Sequence, residues 1–274
     1  RLARPPARGE RAGAGAEGRL MLTNPQIAVA VVVVTVITFV CRIAPFVLLR
    51  GRQDSAVLAF LSEEVIEKVE GWQVNRVGTV PFVTIEYPIF EAVRGTNRVR
   101  IAPMPIGAPA AALVAERMIR AGATSLIAVG SCGALKPLAE GEFVLPNKAL
   151  RDEGTSYHYL PAGHWVQTDP ELTTTCVQVA RSAGFSTLVA PVWTTDGFFR
   201  ETRDLAEQRR QLGCIAVEME CAALAAIAQF HSVRFAQFLF TADTLAENDY
   251  DVRGFGVDSH HTALSLALEA AASC

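Results

Sequence analysis

An α/β fold, with a central mixed sheet flanked by helices, is what three features of this sequence predict. Apolar runs of strand length repeatedly give way to stretches whose apolar residues recur at helical spacing. Polar residues gather at those strand ends, and in open α/β sheets that is where ligands bind. With 274 residues, 50% of them hydrophobic, the chain can also bury a substantial core. The N-terminus is atypical of the class, because it carries a long apolar segment in place of an alternation.

The first junction is Ile101-Ala102-Pro103-Met104-Pro105-Ile106-Gly107-Ala108-Pro109. It predicts a strand over 99–104 and a helix over 108–120. Pro109 suits a first helical turn, and Leu113, Val114, Met118 and Ile119 form an apolar stripe. A glycine turn that opens a helix can present free amides to an anion, which makes Gly107 a candidate anion-binding position. The next strand, over 125–129, runs into Gly130-Ser131-Cys132-Gly133-Ala134. Small residues there let a ligand approach the backbone, and Ser131 adds a hydroxyl and an amide. A nucleophilic serine elbow needs Gly-x-Ser-x-Gly, and Val129 stands where its first glycine should be. No histidine is placed by spacing to activate Cys132.

Strands over 142–146 and 188–193 and helices over 170–183 and 200–211 follow from the same patterning. After the strand end at Pro146, the segment Arg151-Asp152-Glu153-Gly154-Thr155-Ser156-Tyr157-His158-Tyr159 concentrates hydroxyls, acids and a histidine. Arg151, Tyr157 and His158 are therefore expected to contact substrate, His158 without acting as a proton shuttle. Trp193-Thr194-Thr195-Asp196-Gly197-Phe198-Phe199-Arg200-Glu201 sets aromatics beside hydroxyls and a carboxylate, a combination suited to a planar heterocycle bearing a sugar.

A strand over 214–217 then passes through Glu218-Met219-Glu220 into a helix over 219–229, with Met219, Ala223, Ile227 and Phe230 at helical spacing. Taken alone, Glu218 and Glu220 read as first-turn acids favoured by the helix dipole. Beside the other polar junctions they read as ligand-binding carboxylates. The last strand, over 235–240, ends at Thr241-Ala242-Asp243. Asp243 is either a site acid or a cap on the next turn through Thr244. His260-His261 has no further ligands at metal-binding spacing, so no metal site is expected.

Three of these segments, Gly130-Ser131-Cys132-Gly133-Ala134, Val217-Glu218-Met219-Glu220 and Thr241-Ala242-Asp243, resemble the nucleoside phosphorylase family that includes hexameric purine nucleoside phosphorylases and uridine phosphorylases. The resemblance runs from about Glu64 to the C-terminus. It implies that Glu220 binds the ribose hydroxyls, with Met219 against the sugar and Glu218 as the neighbouring acid that also holds ribose. It further implies that Phe198 stacks on the base, that Asp243 protonates the base as it leaves, and that Gly107, Gly130 and Ser131 meet phosphate. Asp243 and Glu220 are accordingly the expected catalytic residues. Inorganic phosphate is the implied co-substrate, no other cofactor is expected, and homo-oligomers with sites completed by a neighbour are implied.

The chain departs from the family pattern where phosphate should bind. The family places an arginine two residues before its Gly-Ser turn, where this chain has Ala128, and Pro105 and Ala110 replace a usual glycine and serine. No counterpart of the family's first strand, with its Gly-Asp phosphate loop, is recognisable. Arg151, Arg94, Arg98, Arg100 or an arginine of a neighbouring copy remains to bind phosphate; without one of them, water becomes the nucleophile. The expected activity is phosphorolysis of nucleosides, purine favoured, to free base and ribose 1-phosphate. A uridine phosphorylase, a nucleosidase that hydrolyses the N-glycosidic bond, and a non-catalytic nucleoside-binding or membrane-associated module are the alternatives.

A net charge of −3 argues against a nucleic-acid partner. Six cysteines scattered without a CxxC suit reduced thiols and a cytoplasmic location. Residues 1–20, rich in Arg, Gly, Ala and Pro, are expected to be disordered. Residues 21–62 form the apolar segment, read as a membrane helix or a fusion artefact, with a buried strand over 27–40 as the third reading. The run 27–49 is long enough to span a bilayer and leaves membrane association open. This segment resembles the opening helix of the small subunit of branched-chain amino-acid exporters, through Thr38-Phe39-Val40-Cys41-Arg42-Ile43-Ala44-Pro45-Phe46. The phosphorylase-like domain is then expected over 63–274, and a chain beginning near Ser62 is expected to be more soluble than the full length.

Overall fold

The computed structural model describes residues 25, 29, 31–33, 55–82, 85–246 and 250–274. The chain divides into two units, Arg1–Ala44 and Pro45–Cys274. In the first, the described residues are helical. No described helix is long and apolar enough to cross a membrane. The tail expected to be disordered over 1–20 lies outside the described residues. So do most of the run 27–49 and the stretch that carries the exporter resemblance.

In the second unit the described strands form one mixed sheet. They are β1 (Ser55–Ala59), β2 (Gln73–Pro81), β3 (Glu86–Arg94), β4 (Asn97–Pro103), β5 (Ser125–Ala134), β6 (Phe143–Asp152), β7 (Trp165–Gln167), β8 (Thr187–Thr195), β9 (Ala216–Glu218) and β10 (Arg234–Thr244). Five of them close into a ring, β5 to β9 to β8 to β6 to β10 and back to β5. The sheet continues from β5 through β1 and β4 to an antiparallel meander with β3 and β2. The helices are α1 (Glu63–Glu67), α2 (Ala108–Arg120), α3 (Pro170–Ser182), α4 (Arg203–Gln211), α5 (Cys221–His231) and α6 (His260–Ala272).

Side chains alternate between the faces of the central strands with the period of two that a pleated strand imposes. Ala56 and Leu58 of β1, Leu126 and Ala128 of β5, and Phe235 and Leu239 of β10 pack in the layer that holds α2 and α5. Val57 and Ala59, Ile127 and Val129, and Phe238 and Phe240 pack in the opposite layer, which holds α3 and α6. Because both faces are covered, these strands read as unbroken apolar runs, as parallel strands do.

Two details of the expected packing change. Leu113 points outward at 54% exposure, and Ala111, Val114, Ala115 and Met118 form the buried face of α2. Phe230 is likewise exposed, its ring edge-on to Tyr159, whereas α5 buries every residue from Cys221 to Ala228. That helix is wedged between α2 and the sheet, so an apolar stripe was too narrow an expectation for it.

The expected domain boundary moves as well. β1 lies inside the segment assigned above to a membrane helix or fusion artefact, yet it is hydrogen-bonded in parallel to β4 on one side and β5 on the other. All five of its residues are buried. It is the first strand that the sequence failed to reveal, and it lies in the middle of the sheet.

Candidate active site

A cavity of about 410 Å³ opens where the carboxyl ends of β1, β5, β9 and β10 meet. Its lining includes Gly130 and Ser131 from β5, Glu218 from β9, Met219 and Glu220 from the turn into α5, and Asp243 from β10. Phe198, from a short 3-10 turn after β8, closes one side with its ring edge-on to Phe199. The topology thus gathers residues as far apart in sequence as Phe60 and Phe255. A larger cleft of about 600 Å³, between β6, β7 and α3, has Lys148 but no carboxylate in its lining. The titratable chemistry lies in the smaller cavity.

Two glycines of the β5 turn are required by close approach. A Cβ at Gly130 would stand 3.0 Å from the Cβ of Phe60, the residue that follows β1. A Cβ at Gly133 would stand 3.1 Å from Asp243 Oδ1 and 3.0 Å from Val217 Cγ1. Asp243 reaches that position through an irregularity in the β10–β5 register between Thr241 and Asp243, and a bulge of this kind re-aims a side chain. Turn capping falls to Thr244, whose hydroxyl oxygen accepts the Ala246 amide at 3.0 Å and which donates to the Ala134 carbonyl at 3.2 Å.

The two glutamates have different surroundings. Glu218 accepts the Thr194 hydroxyl and the amides of Glu220 (2.8 Å) and Cys221 (2.7 Å). It therefore binds the first amides of α5, the helix-terminal role that its position alone suggested, and both of its oxygens are engaged. The expectation that Glu218 itself holds ribose gives way to that role. Glu220 accepts the Gly107 amide at 2.6 Å and is 7% exposed, with the rest of its carboxyl group on the cavity wall. This contact also corrects the assignment of Gly107, whose amide is taken by Glu220 and does not line the cavity to meet phosphate.

The Arg151 loop is not brought to the cavity. Arg151 donates to Ser156 Oγ at 2.8 Å and to the Pro161 carbonyl at 2.7 Å, and its guanidinium stacks on Tyr157 at 4.0 Å. Buried at 7% exposure, it pins its own loop, and neither Tyr157 nor His158 lines the cavity. The other candidate cations are also engaged elsewhere, Arg94 with Glu269, and Arg98 and Arg100 with Glu91. Cys132 donates to the Phe240 carbonyl, and burial holds its thiol protonated, which removes it as a nucleophile.

Sequence reasoning missed Phe60, Ile106, Glu201, Gln237 and Phe255, all of which line the cavity. Glu201 could have been suspected from its place at the end of the aromatic loop; the others carry no motif. Burial, with Asp243 adding to it, pushes the Glu201 carboxyl up to about 7. Burial also raises Glu218, Asp243 and Glu220, the last further lifted by Glu218.

A carboxyl with a raised pKa keeps its proton in the folded chain after the unfolded chain has lost it, so stability falls as pH climbs through that window. For Glu201 the window runs from 4.5 to about 7. His260, held below its ordinary value by burial, works in the opposite direction, one group against four. The melting temperature is expected to fall from mildly acidic to neutral pH, and a flat or rising trend in calorimetry would contradict this electrostatic picture.

Carboxyl groups, an aromatic ring and a hydroxyl thus converge on one cavity at the strand ends of a mixed α/β sheet, the arrangement of an enzyme site for a small polar ligand. Residues 53–274 match the phosphorylase superfamily, and the chain belongs to that family. It is 29% identical over 150 residues to a guanosine phosphorylase of Halorubrum lacusprofundi, a match that covers 54% of this chain and 62% of that protein. It is 26% identical over 237 residues to a DeoD-type purine nucleoside phosphorylase of Limosilactobacillus reuteri, covering 83% of this chain and 93% of that one. Its fold is that of a purine nucleoside phosphorylase from Toxoplasma gondii solved in complex with immucillin-H, with a TM-score of 0.68, 21% identity, and coverage of 82% of this chain and 94% of that one.

Proposed function

We propose that the chain catalyses phosphorolysis of nucleosides, purine favoured, to free base and ribose 1-phosphate. The observation that carries this reading is the convergence of Glu220, Met219, Phe198, Ser131 and Asp243 on one cavity. The names of the relatives support the same reaction and the purine preference. Nucleoside and phosphate are the proposed substrates, with no further cofactor, in a homo-oligomer whose neighbouring copies complete the sites.

Breaking an N-glycosidic bond builds positive charge on the ribosyl ring and negative charge on the base. In this reading Glu220 lies against the ribose hydroxyls, where the growing ribosyl charge favours its ionised form despite burial. Met219 packs on the sugar and Phe198 on the base. Glu218 acts through its neighbours, fixing the backbone that carries Glu220. Asp243, raised by burial, donates to the departing base.

One observation favours a second reading, hydrolysis by water: no Lys, Arg or His is among the described residues lining the cavity. A uridine substrate remains open through the Glu-Met-Glu element. The test of the sugar site is Glu220→Gln, which is expected to slow base release from purine ribonucleosides by about one to three orders of magnitude, because a neutral amide loses charge stabilisation that grows in the transition state. Unchanged steady-state rates in that variant would remove Glu220, and the sugar site, from the proposal.

A further inference from the structure

Gln237 is the buried polar group in this cavity that the proposed reaction leaves unused. It sits in the middle of β10, 1% exposed, in the apolar row between Phe235 and Leu239. Its Oε1 has no hydrogen-bond partner among the described residues, and it lines the cavity. A buried acceptor without a donor is costly, so a residue of this kind is tolerated where a ligand completes it.

Its register sets it beside the strand that carries Ser131. Gln237 pairs with Ala128 on β5, two residues before Gly130-Ser131. Ser131, an exposed residue of that strand, and Gln237 both line the cavity. The ionisable side chains on its walls are all carboxyl groups, Glu201, Glu218, Glu220 and Asp243, apart from the buried Cys132 thiol. An oxyanion that offered only acceptor oxygens would leave the Gln237 carbonyl oxygen unmet. One that carries its own O–H can donate to that oxygen.

We infer that Gln237 forms the nucleophile subsite and that this subsite takes a protonated oxyanion, Gln237 Oε1 accepting a hydrogen bond from a hydroxyl of the phosphate itself. The inference rests on the phosphorolysis reading and names the ionic form of its co-substrate. An unprotonated phosphate oxygen bonds to C1′ as the C1′–N bond breaks, and the bonding pair leaves on the base. The base takes a proton from Asp243, which recovers one from solvent. The hydroxyl held by Gln237 stays on phosphorus throughout.

Two measurements on the whole chain test this. Gln237→Leu removes the acceptor at similar volume; it is expected to raise the KM for phosphate at least about tenfold, the loss of one hydrogen bond to a charged ligand. The KM for the nucleoside is expected to stay unchanged, and the melting temperature not to fall, since an unmet buried acceptor has been deleted. In the wild-type enzyme, arsenate, which carries a proton, is expected to replace phosphate. Sulfate, which has the same shape and no proton at neutral pH, is expected not to compete. An unchanged phosphate KM in Gln237→Leu, or competition by sulfate as strong as that by arsenate, overturns the inference and leaves phosphorolysis standing. Release of free ribose at the same rate without phosphate overturns the phosphorolysis reading and this inference with it; that outcome is read from the product of the wild-type enzyme and not from the KM of a variant.

Discussion

Asp243→Asn is expected to slow base release from inosine or adenosine by about 10²- to 10⁴-fold, the usual contribution of a general acid, with the melting temperature nearly unchanged. The side chain is 8% exposed and lines the cavity, and burial raises its pKa, so it can hold a proton for the departing base. The competing role, a cap on the following turn, would cost only about 1 kcal/mol of stability on loss, and here Thr244 fills it. The asparagine keeps the size and one donor but has no acidic proton. The deficit should therefore shrink for an analogue whose base leaves without protonation. A wild-type enzyme that prefers uridine and tolerates Asp243→Asn would transfer the assignment to a uridine phosphorylase.

A chain shortened to begin at Ser62 is expected not to fold, the reverse of what the apolar N-terminus suggested. It lacks β1, whose removal opens two unpaired edges in mid-sheet, on β4 and on β5. Val57 and Leu58 alone each bury a side chain worth roughly 1.5–3 kcal/mol, and Ala56 and Ala59 are as fully buried. Adding the lost ladder hydrogen bonds brings the deficit to the scale of a whole domain's stability, about 5–15 kcal/mol. A chain beginning at Pro45 keeps β1 and should show a cooperative thermal transition by circular dichroism. A cooperative transition in the Ser62 chain would show that β1 is dispensable.

The sequence was most legible where chemistry demands particular residue types at a strand end. Ser131, Glu220 and Asp243 could be read because glycines, acids and hydroxyls interrupt apolar runs there, and the structure brings them to one cavity. The helix at Ala108–Arg120 was equally legible from its proline at the first turn and its apolar spacing. Strand β1 was not, because Ser55-Ala56-Val57-Leu58-Ala59 is short and follows a far longer apolar run that dominates any reading of periodicity. The edge strand β2 was hidden for the opposite reason, since its half-exposed residues show little apolar character.

Pairings across the fold were out of reach. That the Gly107 amide meets Glu220, and not phosphate, depends on a contact spanning 113 residues. The polar loop around Arg151 has the composition of a substrate loop, yet Arg151 bonds within its own loop and Asp152 accepts from Trp193 and Arg209, away from the cavity. Gln237, alone in the apolar run Phe235-Ala236-Gln237-Phe238-Leu239-Phe240, gave no motif, and its setting became visible only through its register with Ala128.

Phosphorolysis of a nucleoside in this acidic cavity is decided by the products. The chain is incubated with inosine, with and without inorganic phosphate, and hypoxanthine, ribose 1-phosphate and free ribose are quantified in the same samples. Base release that requires phosphate, with ribose 1-phosphate formed in equal amount to hypoxanthine, is the predicted result. Hypoxanthine and free ribose appearing together at the same rate in the absence of phosphate would contradict it and make the enzyme a nucleosidase.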